Sequence, residues 1–250
     1  NVINKLHPSI CDTKEKAKYF LTIIGDILLK KSNYIYFLHP KTKPFLKALS
    51  TLSCMLFATP NLLNIFKFKY YEHSFTDCRF VDLWEFMNID NWNSYVKENE
   101  ALDLFCVAAY YSTRYENADN FLLEYCKDEN LKKYALYLKN NTEDDIINHF
   151  TNSTLENSVG CSISWKNMQF LWKKFIDGER FQNMFFTTIL KNKLIEHLKY
   201  DEEKDIFIDC TSKLLPTVSK FIKFWNDNME ICDDNINEEI EIDELCSLFT

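Results

Sequence analysis

The chain has 250 residues, is 46% apolar and carries a formal charge of −8, enough apolar content to bury a core and to exclude a disordered or collagen-like polymer. No run of eighteen apolar residues occurs, and the first ten residues lack the basic and apolar regions of a signal peptide, so no membrane partner is expected. The only three glycines, Gly25, Gly160 and Gly178, never fall within fifteen residues of one another. That excludes dinucleotide fingerprints, Walker A loops, kinase glycine loops and nucleophile elbows, which need clustered glycines for close approach to a phosphate or for positive φ.

In chain order, Asp12-Thr13-Lys14-Glu15 reads as a capping box, with Asp12 accepting from first-turn amides and Glu15 reaching back. The helix it opens carries Ala17, Phe20, Leu21, Ile24, Ile27 and Leu28 on one face and ends near Lys30-Lys31. Gly25 sits inside it at a cost of roughly 1 kcal/mol relative to Ala, which predicts another element packed closely against it. Tyr34 to Leu38 reads as a buried strand, and Pro44 as the first turn of a second helix. Phe66 to Tyr70 alternates with period two, Cys78 to Leu83 looks like its partner, and the residues between them are expected to close a loose hairpin.

From Asp90 helical periodicity dominates, with helices predicted near 99–113, 117–127, 129–139, 142–152, 164–176, 181–199 and 212–228. Trp165, Met168, Trp172 and Phe175 form one core stripe, and Val218, Phe221, Ile222, Trp225 and Met229 another. No internal repeat of fixed period occurs. The expected fold is mainly α. A small α/β unit with a β-hairpin covers 1–90, an irregular multi-helix array covers 91–228, and an acidic linker with the start of a following helix covers 229–250.

The nine cysteines are never closer than fourteen residues, and no CxxC or HxxxH pair occurs, which suits a reducing cytoplasmic or nuclear compartment. Nine acidic residues and no basic one lie between Asp227 and Thr250, leaving 29 basic and 28 acidic groups in residues 1–226. No global field for nucleic acid exists, so any such site is a local patch. The chain begins without Met and stops inside an apolar-periodic stretch, so a segment of a longer polypeptide is expected, its partners including the flanking domains.

The candidate patch combines His39-Pro40-Lys41-Thr42-Lys43 with Lys67, Lys69, Tyr70, Tyr71 and His73. Lysines interleaved with aromatics neutralise phosphates and stack bases, so Lys41, Lys43, Lys67, Lys69, Tyr70 and His73 are the candidate residues for single-stranded nucleic acid. The same lysines would equally guard an edge strand against unwanted pairing. His73, Asp77, Cys78 and Asp82 offer metal-ligand chemistry, but no second His/Cys pair completes a four-ligand set. Asp77, Asp82 and Glu85 have the residue type of metal-dependent phosphoryl-transfer sites, or of a solvated hairpin face. His7, His39, His73, His149 and His197 are scattered, and no Ser or Cys lies in a turn flanked by small residues. No catalytic residue, metal or cofactor is assigned.

Ile236, Ile240, Ile242, Leu245 and Leu248 are apolar residues set among acids, a pattern of helix-in-groove ligands and equally of the first helix of a following domain. Gly 3, Ala 8 and Arg 3 against Lys 26 and Asn 24 reads as an AT-rich genome. With that composition, Ala17-Lys18-Tyr19-Phe20-Leu21-Thr22-Ile23-Ile24-Gly25-Asp26, Ser164-Trp165-Lys166-Asn167-Met168 and Glu241-Ile242-Asp243-Glu244-Leu245-Cys246 resemble segments of long proteins from giant nucleocytoplasmic DNA viruses. Some of those are replication proteins of the primase-helicase type, and the resemblance implies a part of such a protein other than its ATPase. The function expected is a non-catalytic helical module of a larger intracellular, viral protein, serving assembly or nucleic-acid handling. The alternatives are a divergent metal-dependent nucleic-acid enzyme domain and a purely structural spacer.

Overall fold

The computed structural model describes residues 2–58, 61–70, 72–83, 98–229 and 241–249. The chain is mainly helical and divides into two compact units, residues 1–144 with 180–186 and residues 145–179 with 187–250. No helix among the described residues is long and apolar enough to cross a membrane.

Unit 1 is built around α2, Lys14–Leu28, which follows α1, Val2–Ser9. Ala17 and the nine consecutive residues Tyr19 to Ile27 of α2 are buried, so the helix is covered all round, as a central helix is. Its cap differs from the expected box. Thr13 accepts from the Lys16 amide at 3.2 Å, while Asp12 pairs instead with the Lys16 ammonium at 2.8 Å. Only Thr13 stands three residues before that orphan amide in extended backbone.

Three short strands form a parallel sheet in the order β2-β1-β3, with β1 at Ile35–Phe37, β2 at Phe66–Lys67 and β3 at Cys78–Phe80. The strands expected around 66–70 and 78–83 exist, but the hairpin between them does not: β1 lies between the two and each pairs with it. Ile35, Tyr36 and Phe37 are buried on both faces, and the strand with no solvent face takes the centre of a parallel sheet. α3, Lys43–Phe57, makes the crossover from β1 to β2, with Pro44 in its first turn as expected.

Register assigns the faces. Tyr36 pairs with both Phe66 and Arg79, and on that side Phe20 of α2 packs against Phe66 and Phe45 at 6.5 and 5.9 Å. Phe37 and Phe80, also paired, face the other way, where Phe80 stacks on Phe181 at 5.0 Å. Phe181 belongs to the returning segment 180–186, which counts with unit 1 although the sequence there predicted helix; it also stacks on Tyr137 at 4.2 Å. α4, Glu98–Tyr115, packs along α2 at Gly25; the boundary expected near residue 90 lies outside the described residues. A turn capped by Asn117, the π-helical segment Phe121–Tyr125, α5 at Glu129–Ala135 and α6 at Tyr137–Asn140 complete it.

In unit 2 the core forms between α7, Glu143–Thr154, and α8, Trp165–Gly178, where Phe150 meets Trp172 and Phe175 at 5.2 and 5.5 Å. Met168, Trp172 and Phe175 are buried, as the stripe predicted, and α9, Thr187–His197, adds Leu190 and Leu194. An antiparallel sheet in the order β4-β6-β5 was not expected: β4 is Glu156–Ser164, β5 Tyr200–Asp201 and β6 Ile206–Thr211. Residues 158–161 bulge opposite Asp209, with Gly160 at φ 83° and its amide 3.3 Å from the Asp209 carboxylate. α10, Pro216–Asn228, and α11, Ile242–Phe249, end the described chain. The second predicted core stripe is overturned here, because no residue of α10 is buried and Trp225 is 44% exposed.

Candidate nucleic-acid interface

Because β1, β2 and β3 are parallel, the segments leaving β1 and β2 emerge at the same edge of the sheet, the C-terminal edge where open α/β sheets bind ligands. Phe37 pairs with Lys67, and the Leu38 amide donates to the Lys67 carbonyl at 2.9 Å, which sets His39 to Lys43 beside Phe68 to Tyr70. The Lys43 ammonium stands 5.8 Å from the centre of the Phe68 ring. The segments 39–43 and 68–70 thus adjoin because β1 and β2 are paired.

His39 shapes the turn into α3. Its Nδ1 accepts from the Lys41 amide at 3.2 Å, and its carbonyl accepts from the Thr42 hydroxyl at 2.7 Å. Thr42 therefore turns its hydroxyl away from the first-turn amides of α3, which has no side-chain cap. Lys41 and Lys43 flank those amides, and cations beside a helix N-terminus raise the local positive potential.

Tyr70 gains a partner that the local sequence does not reveal. Its ring lies 3.8 Å, centre to centre, from Phe186, which is 51% exposed. The next contact along the same segment joins Phe75 to Phe185 at 5.7 Å. Phe186 is the residue that sequence reasoning missed; its only signal was an apolar pair, Phe185-Phe186, in a stretch read as helix. His73 is drawn the other way. Its Nε2 lies 3.9 Å from Asp77, which precedes β3 and so belongs to the opposite edge of the sheet.

The carboxylates do not assemble. Asp77 and Asp82 bracket β3, and the five residue steps between them span about 16 Å of extended chain. Asp82 and Asp12 are both engaged by Lys16, whose ammonium they hold charged against the cost of its burial. Glu85 lies outside the described residues, as does Tyr71. Burial raises the Cys78 thiol to about 11, and its Sγ donates to the Ser74 carbonyl at 3.2 Å. Among the described residues no group of three His, Cys, Asp or Glu side chains is placed to hold a metal ion.

Beneath the edge, the guanidinium of Arg79 is fully buried. It donates to both Asp119 oxygens at 2.8 and 2.7 Å and to the Thr76 and Cys78 carbonyls, and it lies 4.2 Å from the Tyr34 ring centre. Burial alone would raise Asp119, but Arg79 and the Lys139 ammonium hold it below the usual carboxylate range. All these charges are mutually satisfied, which suits a rigid support better than a reacting centre. Of the chain's 29 basic and 37 acidic residues, unit 1 has 19 and 18, leaving 10 and 19 to unit 2, so unit 1 is close to neutral and unit 2 carries the excess of acid. Comparison of the chain with protein-family models, curated proteins and solved structures finds no match.

Proposed function

We propose that the chain is a non-catalytic, mainly helical module of a larger intracellular protein, and that unit 1 handles single-stranded nucleic acid at the C-terminal edge of its parallel sheet. The observation that carries this reading is that the segment with Lys41 and Lys43 after β1 and the segment with Lys67, Lys69 and Tyr70 along and after β2 leave the sheet at the same edge. Lysines supply phosphate neutralisation, and the Tyr70–Phe186 pair supplies an exposed aromatic surface for a base. His73, turned toward Asp77, contributes at the margin. No disulfide joins the eight described cysteines, in keeping with a reducing compartment. The AT-rich composition and the phrases shared in style with giant DNA viruses favour a viral parent, with this segment serving its replication or assembly machinery. A metal-dependent nuclease has less support, since Asp77 and Asp82 lie at opposite ends of β3.

Electrophoretic binding of labelled single-stranded DNA and RNA tests the proposal. Changing Lys41, Lys43, Lys67 and Lys69 together to Glu is expected to abolish the shifted band; a band that persists removes the patch as the binding site.

A further inference from the structure

α10 and α11 carry apolar side chains that the fold does not bury. Val218, Phe221, Ile222 and Trp225 recur at helical spacing along α10; the first three are half-buried and Trp225 is exposed. In α11 Ile242 and Leu248 are 78% and 59% exposed. The helices meet at Phe249, whose ring packs edge-on against Phe221 and Phe224 at 5.2 and 5.6 Å. The exposed Trp225, Ile242 and Leu248 belong to the two helices that meet at this joint, and a Trp with aliphatic neighbours is the anchor pattern of helix-in-groove recognition.

Charge decides what fits there. Asp227, Glu241, Asp243 and Glu244 are all exposed beside these residues, and the chain has no basic residue from Asp227 to Thr250. Lys220 and Lys223 of α10 offset only part of this acidity, so a second copy would set a net negative face against itself, whereas a cationic partner is drawn to it. We propose that this face docks a basic amphipathic helix of another protein. The partner's apolar stripe lies on Trp225, Ile242 and Leu248, and its Lys or Arg flanks pair with the acidic rim.

Fluorescence anisotropy on the full chain tests this with a labelled leucine–lysine peptide, apolar at i, i+3, i+4 and i+7 over about five helical turns. Binding is expected to weaken as salt rises. Trp225→Ala with Leu248→Ala is expected to weaken it about ten-fold or more. Asp243→Lys with Glu244→Lys is expected to do the same and to confer binding to the leucine–glutamate counterpart peptide. All four side chains are exposed, so thermal melting should be unchanged in both variants. Three results overturn the proposal: no binding by the unaltered chain, binding undiminished by the two alanines, or a dimer of the unaltered chain that the alanines dissolve.

Discussion

Gly25 lies so close to the Ala108 carbonyl that a Cβ on it would stand 2.1 Å from that oxygen and 2.7 Å from Ser112 Cβ. The contact joins α2 to α4 across most of unit 1, and neighbouring polar groups lock it. Asp26 accepts from the Ser112 hydroxyl at 2.6 Å and from the Ala118 amide at 2.7 Å. The Lys31 ammonium donates to the Ser112 and Glu116 carbonyls at the end of α4, where a cation suits the helix dipole.

Gly25→Ala is accordingly expected to destabilise. The helix itself would gain up to about 1 kcal/mol from alanine, but the obstacle is backbone that cannot swing aside, and overpacking typically costs about 1–3 kcal/mol or more. Gly178→Ala is the control, because nothing lies within 4 Å of its added Cβ, and a gain of about 0.5–1 kcal/mol is expected there. Denaturant midpoints of the two variants should move in opposite directions; a Gly25→Ala midpoint at or above that of the unaltered chain would refute the close approach.

Asp26 predicts a pH dependence. Burial raises its carboxyl to about 6 despite the bonds from Ser112 and Ala118. The folded chain then keeps a proton that the unfolded chain has lost between about pH 4 and 6. Stability from this group is thus fully present below about pH 4 and falls as pH rises to 6, by at most about 3 kcal/mol. Asp26→Asn keeps an acceptor for the Ala118 amide and removes the buried charge. It should flatten this part of the pH profile and raise stability at neutral pH; an unaltered slope between the two chains would show that Asp26 titrates normally.

Arg79 and Asp119 predict a strong asymmetry between breaking and replacing a buried pair. Asp119→Ala leaves the Arg79 guanidinium buried without its carboxylate, and a loss of about 3–5 kcal/mol is expected. Arg79→Met with Asp119→Leu removes both charges and should cost less than Asp119→Ala alone. Because the folded carboxyl of Asp119 is depressed, its contribution is present at neutral pH and is lost as pH falls below about 4. A double variant as unstable as the single one would mean that packing, not charge, sets the cost.

Much of this was legible in the residues, and the exceptions have physical causes. Gly25 announced its close contact because a helix interior otherwise favours alanine. Period-two alternation located β2, but a strand's period says nothing about its partner, and the central β1 took both neighbours that a hairpin would have joined. β4 escaped notice because its Asn, Ser and Gly residues are mostly exposed and read as loop. Phe186 escaped because its contact with Tyr70 joins residues far apart in the sequence, beyond any local pattern. The stripe on α10 was read correctly as apolar and wrongly as core; periodicity identifies a face and not what covers it.

The proposed interface separates its two kinds of contact by salt. Each lysine that neutralises a phosphate should reduce the slope of log affinity against log salt by about 0.7 for a single strand, so Lys41→Ala, Lys43→Ala and Lys69→Ala are each expected to flatten the slope. Tyr70→Ala and Phe186→Ala remove a stacking surface without a charge; each should weaken binding by about 1–3 kcal/mol at every salt concentration and leave the slope unchanged. Because Tyr70 and Phe186 lie ring to ring, the double alanine variant should lose less than the sum of the two. Titrations of a short labelled oligonucleotide at several salt concentrations measure both quantities. If alanine at the lysines leaves the slope intact while the aromatic variants bind normally, nucleic acid does not bind at this edge.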